Sequence, residues 1–157
     1  MRRLAIPALL LALLPLCADA QRTRAADTAP HVSPAFGLHY GSALRLSAAL
    51  GFIVDRSRTT DDGLIVLLEP GQGGTEVAAG YYKSLGRFGS AYSLRAAVIR
   101  TRDEPWNATP RSTYVGAEGQ FLFVLGVGVR AGVFRRASRS VGDQHDNLAT
   151  LSLTLGA

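Results

Sequence analysis

From residue 35 onward the chain alternates large apolar residues with small or polar ones, segment after segment. A strand points successive side chains to opposite faces, whereas a helix repeats about every 3.6 residues, so this period of two predicts strands. Eight such segments are read, at 35–40, 44–54, 63–69, 75–82, 91–101, 112–123, 126–135 and 147–156. The breaks carry turn chemistry: Gly41-Ser42, Asp61-Asp62-Gly63, the glycine-rich 70–74, 86–90, 105–110, Leu125-Gly126 and 140–146. No helix-period segment stands out beyond the first twenty residues. Short links join antiparallel neighbours, and an even number of strands lets a meander close on itself and lose its edges. The expected fold class is therefore all-β, an antiparallel up-and-down meander closed into an eight-stranded β-barrel.

The segments sort by parity. In the second, Leu44, Leu46, Ala48, Leu50, Phe52 and Val54 share one face, and Arg45, Ser47, Ala49 and Gly51 the other. The sixth sets Val115, Ala117, Phe121 and Phe123 against Tyr114, Gly116, Glu118 and Gln120. The seventh sets Val127, Val129, Ala131 and Val133 against Gly128, Arg130 and Gly132, and the eighth sets Leu151, Leu153 and Leu155 against Thr150, Ser152 and Thr154.

Two closed architectures use such a pattern in opposite senses. A soluble barrel of the lipocalin kind turns its apolar face inward, whereas an outer-membrane barrel turns it outward to lipid. The composition of the polar face favours the second sense. Lys83 is the only lysine of the chain, and the face is dominated by Gly, Ala and Ser, which a narrow interior accommodates. Its charged members, Arg45, Glu69, Glu76, Arg95, Glu118 and Arg130, are evenly split in sign, as buried charges must be. Ten residues at about 3.3 Å rise and about 40° tilt project to roughly 25 Å, the height of a membrane barrel's apolar band. Arg100 and Arg135 fall on the apolar face but at strand ends, where the cost of a charge near lipid falls toward zero. Phe52, Tyr81, Tyr82, Phe88, Tyr92, Trp106, Phe121 and Phe123 lie at or near strand ends, as aromatic girdles require.

The first twenty residues agree with export. Arg2 and Arg3 precede an apolar run from Leu4 to Leu16, and Ala18-Asp19-Ala20 forms a small-x-small cleavage site. The run is about thirteen residues, short of the roughly twenty a membrane helix needs. The expected organisation is a signal peptide at 1–20, a flexible segment at 21–34 and the barrel at 35–157. Cys17, the single cysteine, falls within the leader; Leu14-Pro15-Leu16 before it is a poor lipidation context, and the mature chain is left without disulfide or thiolate chemistry.

In this alternation the chain resembles the small eight-stranded outer-membrane barrels, such as the membrane domain of OmpA and the OmpX group. The likeness is one of pattern over roughly 35–157. It implies both termini on the periplasmic side and an interior crossed by Arg–Glu pairs. The chain departs from the family's usual terminal aromatic in ending Leu155-Gly156-Ala157.

The sharpest candidate constellation is Glu118 with Arg130. A tight hairpin near Val124 and Leu125 that keeps the apolar faces aligned places Glu118 opposite Arg130 or one diagonal away, as a lumen ion pair. On that basis, reversing both charges should preserve folding. Catalysis is not expected: His31, His39 and His145 are scattered, and His39 near Ser42 lacks a third orienting group. Asp143, His145 and Asp146, or Asp61 and Asp62, supply too few donors for a metal, and no cofactor is expected. The formal charge of +5 is carried by arginines spread singly, which argues against nucleic acid as a partner. The expected role is a structural or surface-interaction barrel in a bacterial outer membrane, with outer-membrane lipid as its partner and the 102–111 and 137–146 loops as its variable surface. The rival reading is a periplasmic lipocalin-like barrel holding an apolar ligand.

Overall fold

A computed structural model of the chain describes residues 30–56, 61–86, 89–137 and 146–156. The leader at 1–20 with Cys17, residues 21–29, Phe88 and the 138–145 stretch with Asp143 and His145 lie outside the described residues. Eight strands follow in chain order: β1 His31–Gly41, β2 Arg45–Asp55, β3 Asp62–Pro70, β4 Gly74–Ser84, β5 Ala91–Thr101, β6 Thr113–Leu122, β7 Val127–Arg136 and β8 Asn147–Gly156. Each pairs antiparallel with the next, and β1 pairs with β8 to close the barrel. Strands of 9 to 11 residues give a wall of nearly even height.

The start of β1, the end of β2, the start of β3, the end of β4, the start of β5, the β6–β7 turn and the end of β8 lie at one rim, here the terminal rim. The β1–β2 and β3–β4 turns, the 102–112 connection, the end of β7 and the start of β8 lie at the other, the loop rim. Closure is made by Gly37–Gly41 of β1 against 152–156 of β8. The earlier half of β1 pairs with β2 alone, and Pro34 sits there, where a missing N–H is best tolerated. The strand begins at His31, not near residue 35. Residues 31–34, expected in a flexible segment, continue the alternation instead, with Val32, Pro34 and Phe36 exposed and Ala35 buried.

Sidedness is uniform around the ring. Leu50, Phe52, Leu64, Leu68, Leu94, Val98, Val133, Leu151 and Leu153 project from the outer wall. His39, Ser47, Glu69, Glu76, Arg95, Glu118, Gln120, Arg130, Ser152 and Thr154 are buried in the interior. Two expectations are corrected at this level, one from parity and one from position near a strand end. Leu44, expected with the outward face, is buried, because Ala43 and Arg45 both have positive φ (63° and 64°) and the β1–β2 turn folds Leu44 into the barrel mouth. Tyr82, expected in an aromatic girdle, packs inward against Ala35, Ala49, Ile53, Ile65 and Leu67.

The interior is layered. At the loop rim Ala43, Leu44, Ala78, Ala97, Ile99, Tyr114, Phe134 and Leu148 form an apolar plug. The 102–112 connection folds over it: Ala43 N–H donates to the Trp106 carbonyl (3.0 Å), Arg102 N–H to the Gly73 carbonyl (2.8 Å), and Thr109 N–H to the Tyr114 hydroxyl (2.9 Å). The cluster beneath Tyr82 fills the terminal-rim side between β1 and β3. Charged and polar groups occupy the middle, and side chains fill the lumen of so small a barrel.

One glycine is needed to fit this interior. A Cβ at Gly132 would lie 2.6 Å from the Phe134 ring, 2.9 Å from Thr150 Oγ1 and 3.0 Å from Glu118 Cβ. Gly132→Val should cost about 1 to 3 kcal/mol by overpacking, read as a lowered urea midpoint of the refolded barrel. An unchanged midpoint would mean that the lumen is looser than these contacts require.

Candidate functional site

The site is the charged layer in the middle of the barrel. In β3 and β4, a short turn through Gly71 and Gly73 sets Glu69 directly opposite Glu76, both inward and both buried. Like charges facing across strands repel, so this pair needs a cation from elsewhere. Arg130 supplies it from β7, across the ring from β3. Its Nη1 lies 2.6 Å from Glu69 Oε2 and 3.4 Å from Glu76 Oε1, and its Nη2 lies 3.0 Å from Glu69 Oε1. The two-pronged geometry on Glu69 is the arrangement a planar guanidinium is built for.

A second pair adjoins the first. Arg95 of β5 stands directly opposite Glu118 of β6, with Nη2 at 2.8 Å from Oε1. The other Glu118 oxygen lies 3.5 Å from Arg130 Nε and joins the two halves. Glu118 is in register with Gly132 and Gln120 with Arg130, so Glu118 and Arg130 are diagonal neighbours, one of the two placements expected from the hairpin. Glu69 also takes His39 Nδ1 at 2.8 Å and the Ser47 hydroxyl at 2.5 Å. Gln120 donates to the Gly156 carbonyl at 3.0 Å. Three carboxylates, two guanidiniums and an imidazole thus share one water-poor layer.

The structure brings together Glu69, Glu76, Arg95, Glu118 and Arg130 and leaves Arg45 out. Arg45 was assigned to the lumen by parity, but its positive φ lies at the start of β2, where alternation does not yet hold. Its guanidinium turns to the loop rim, 3.6 Å from Glu104 and 5.8 Å from the Trp106 ring centre. His39 is the member that sequence reasoning did not place, and Ser47, read on the inward face, was not assigned to Glu69. The signal for His39 was available: Gly37, His39 and Gly41 alternate with Phe36, Leu38 and Tyr40 on β1.

These contacts change what a charge exchange should do. Reversing Glu118 and Arg130 together would set a new arginine against Arg95 and a new glutamate against Glu69 and Glu76. The exchange expected from sequence to preserve folding should instead disrupt it.

The His39, Glu69 and Ser47 contacts have the carboxylate in the middle. The hydroxyl donates to Glu69, and no hydrogen bond joins it to the imidazole. A nucleophile relay places the base between hydroxyl and carboxylate, whereas here His39 and Ser47 both contact one buried carboxylate, Glu69. The candidate donors Asp61 and Asp62 lie at the terminal rim, where Asp62 stands opposite Lys83 and accepts a long hydrogen bond, 3.4 Å, from the Tyr81 hydroxyl. Around the rims the exposed aromatics pair: Tyr81 with Tyr92 (6.2 Å between ring centres), Phe121 with Phe123 (4.9 Å) and Tyr40 with Trp106 (5.5 Å).

Fold and site together define an eight-stranded antiparallel barrel with an apolar exterior and an ion-paired interior. Comparison with protein-family models, curated proteins and solved structures finds no match.

Proposed function

We propose that this chain is a small bacterial outer-membrane barrel with a structural or surface-interaction role. The observation that carries the reading is its sidedness: a continuous belt of exposed Leu, Val and Phe on the outer wall, and arginine and glutamate within. In water that belt would be an apolar patch far beyond the few hundred Å² that soluble proteins tolerate, whereas in a bilayer it meets hydrocarbon. Three further features support it. The strands are long enough to cross an apolar layer of about 25 Å. The aromatics Phe52, Tyr81, Tyr92, Phe121 and Phe123 gather toward the terminal rim, with Tyr40 and Trp106 toward the loop rim. The leader at 1–20 has the parts of an export signal. A ligand-holding barrel would need a roomy apolar interior, and this one is occupied by ions and two apolar plugs.

Fractionation tests the proposal. The protein should remain with outer membranes through osmotic shock, require detergent for extraction, and migrate differently on gels before and after boiling. Release by osmotic shock, together with solubility in the absence of detergent, would overturn it in favour of a periplasmic barrel.

A further inference from the structure

The turn between β6 and β7 departs from ordinary turn chemistry. Leu125 and Gly126 both have positive φ (56° and 74°), and Val127 N–H donates to the Val124 carbonyl at 3.2 Å. Asn-Gly or Asp-Gly is the usual occupant of such a pair, because a short polar side chain tolerates the left-handed backbone and meets water. Here the first position is a leucine, and it is 80 % exposed. Neither the backbone nor water favours that residue, so the reason for it lies outside the chain.

Leu125 has apolar company. Phe123, Val124 and Val127 of the same hairpin are exposed with it, Phe121 meets Phe123 edge-on, and exposed Leu155 of β8 is in register with Val127. From Phe121 to Val129 the chain has no charged or polar side chain. The patch therefore runs without a break from the turn onto the apolar wall of β6, β7 and β8. A surface made for a protein partner ordinarily surrounds its apolar centre with a polar rim, and on the wall side this one merges with the belt instead. The backbone of the turn is also tied from within. Phe123 N–H donates to the Val127 carbonyl (2.8 Å), the Phe123 carbonyl accepts from the Ser90 hydroxyl, and the Gly126 carbonyl accepts from Gly156 N–H (2.8 Å). Internal pairing of this kind is what the edge of an apolar layer demands of a backbone.

The sector across the ring is built the other way. Asp55 ends β2, Asp62 begins β3, and Arg56 and Asp61 adjoin them. Those charges favour water on that side of the terminal rim.

We infer that the β6–β7 turn is a membrane anchor: Phe123, Val124 and Leu125 enter the boundary between headgroups and acyl chains, so that this sector of the terminal rim sits deeper in the bilayer than the β2–β3 sector. The inference rests on the outer-membrane reading and deepens it, in assigning the depth and inclination of the barrel.

The test places a single fluorophore in the full chain. Trp106, the only tryptophan, is removed by Trp106→Phe, and Leu125→Trp, Arg56→Trp or Leu151→Trp is added to that background. Each variant is refolded into phosphatidylcholine vesicles, and the gel shift on boiling confirms that it is folded. Emission is then quenched by acrylamide from the water, or by phosphatidylcholine brominated just below the headgroup or near the chain ends. Leu125→Trp should lose about half or more of its emission to the shallow bromines and be shielded from acrylamide, as an apolar group at the interface is. Arg56→Trp should show the reverse, and Leu151→Trp should be quenched most by the deep bromines. Quenching of Leu125→Trp by acrylamide as strong as that of Arg56→Trp, or emission that neither brominated lipid lowers while Leu151→Trp is quenched, would overturn the anchor alone and leave the turn to water or to a protein partner. Failure of both lipids to quench Leu151→Trp would sink the outer-membrane reading and the anchor with it.

Discussion

Replacing Arg130 with methionine should destabilise the barrel by about 3 to 5 kcal/mol, the cost of breaking a buried ion pair from one side. Methionine fills much of the same space, so the loss is electrostatic. It leaves Glu69 and Glu76 face to face in register with no guanidinium between them, and Glu118 with Arg95 alone. Arg130 is only 4 % exposed, so water cannot screen the carboxylates it leaves behind. Urea unfolding of the barrel refolded in vesicles is the measurement, with folded fraction read from the gel shift. Adding Glu69→Gln and Glu76→Gln to Arg130→Met should recover most of the loss, because removing both signs of a buried network costs far less than removing one. Arg130→Lys should fall between, since a point charge cannot reproduce the two-pronged contact on Glu69. A single variant that unfolds at the wild-type urea concentration, or a triple variant no more stable than the single, would mean that Arg130 does not hold the carboxylates together.

Leu151→Arg gives the second large effect, and its size depends on what surrounds the barrel. Leu151 is 65 % exposed at the middle of β8, opposite Ala131 at the middle of β7. In water a substitution at so exposed a position should change stability by no more than about 0.5 kcal/mol. At the midplane of a bilayer an arginine costs about 2 to 4 kcal/mol, and the cost falls to about 0 to 1 near the interface. Leu155→Arg, one residue from the end of the same strand, is therefore the depth control. The expected result in vesicles is a marked loss for Leu151→Arg and a small one for Leu155→Arg. Equal urea midpoints for wild type and Leu151→Arg would contradict a lipid-facing outer wall.

Most of the strand plan was legible because alternation is a local property. A residue two positions along a strand returns to the same face whatever the rest of the chain does, so Leu46, Leu50 and Phe52 can be assigned to one side from their spacing alone. Alternation fails where the backbone leaves the extended region. That is why Leu44 and Arg45, within a turn that has positive φ at Ala43 and Arg45, were assigned to the wrong sides. At the other end of β1, His31 to Pro34 carry a pattern too short, and too near a proline, to separate from a polar tail. Tyr82 shows a further limit. An aromatic residue near a strand end satisfies both a rim and a core, and only its packing on Ile65 and Leu67 decides between them.

The charged layer divides in the same way. That Glu69, Glu76, Arg95, Glu118 and Arg130 share the interior follows from parity, and the Glu118–Arg130 diagonal follows from one tight turn between adjacent strands. Which cation serves which carboxylate does not, because the contact between Arg130 and Glu69 spans 61 residues and crosses the lumen between strands that never pair. By itself the sequence determined the strands, their faces and the signs of the buried charges, all of which depend on neighbours along the chain or across one hairpin. Only the closed barrel decided that β7 lies across from β3, that His39 and Ser47 join Glu69, and that Arg45 does not, since those distances exist only once the ring has closed.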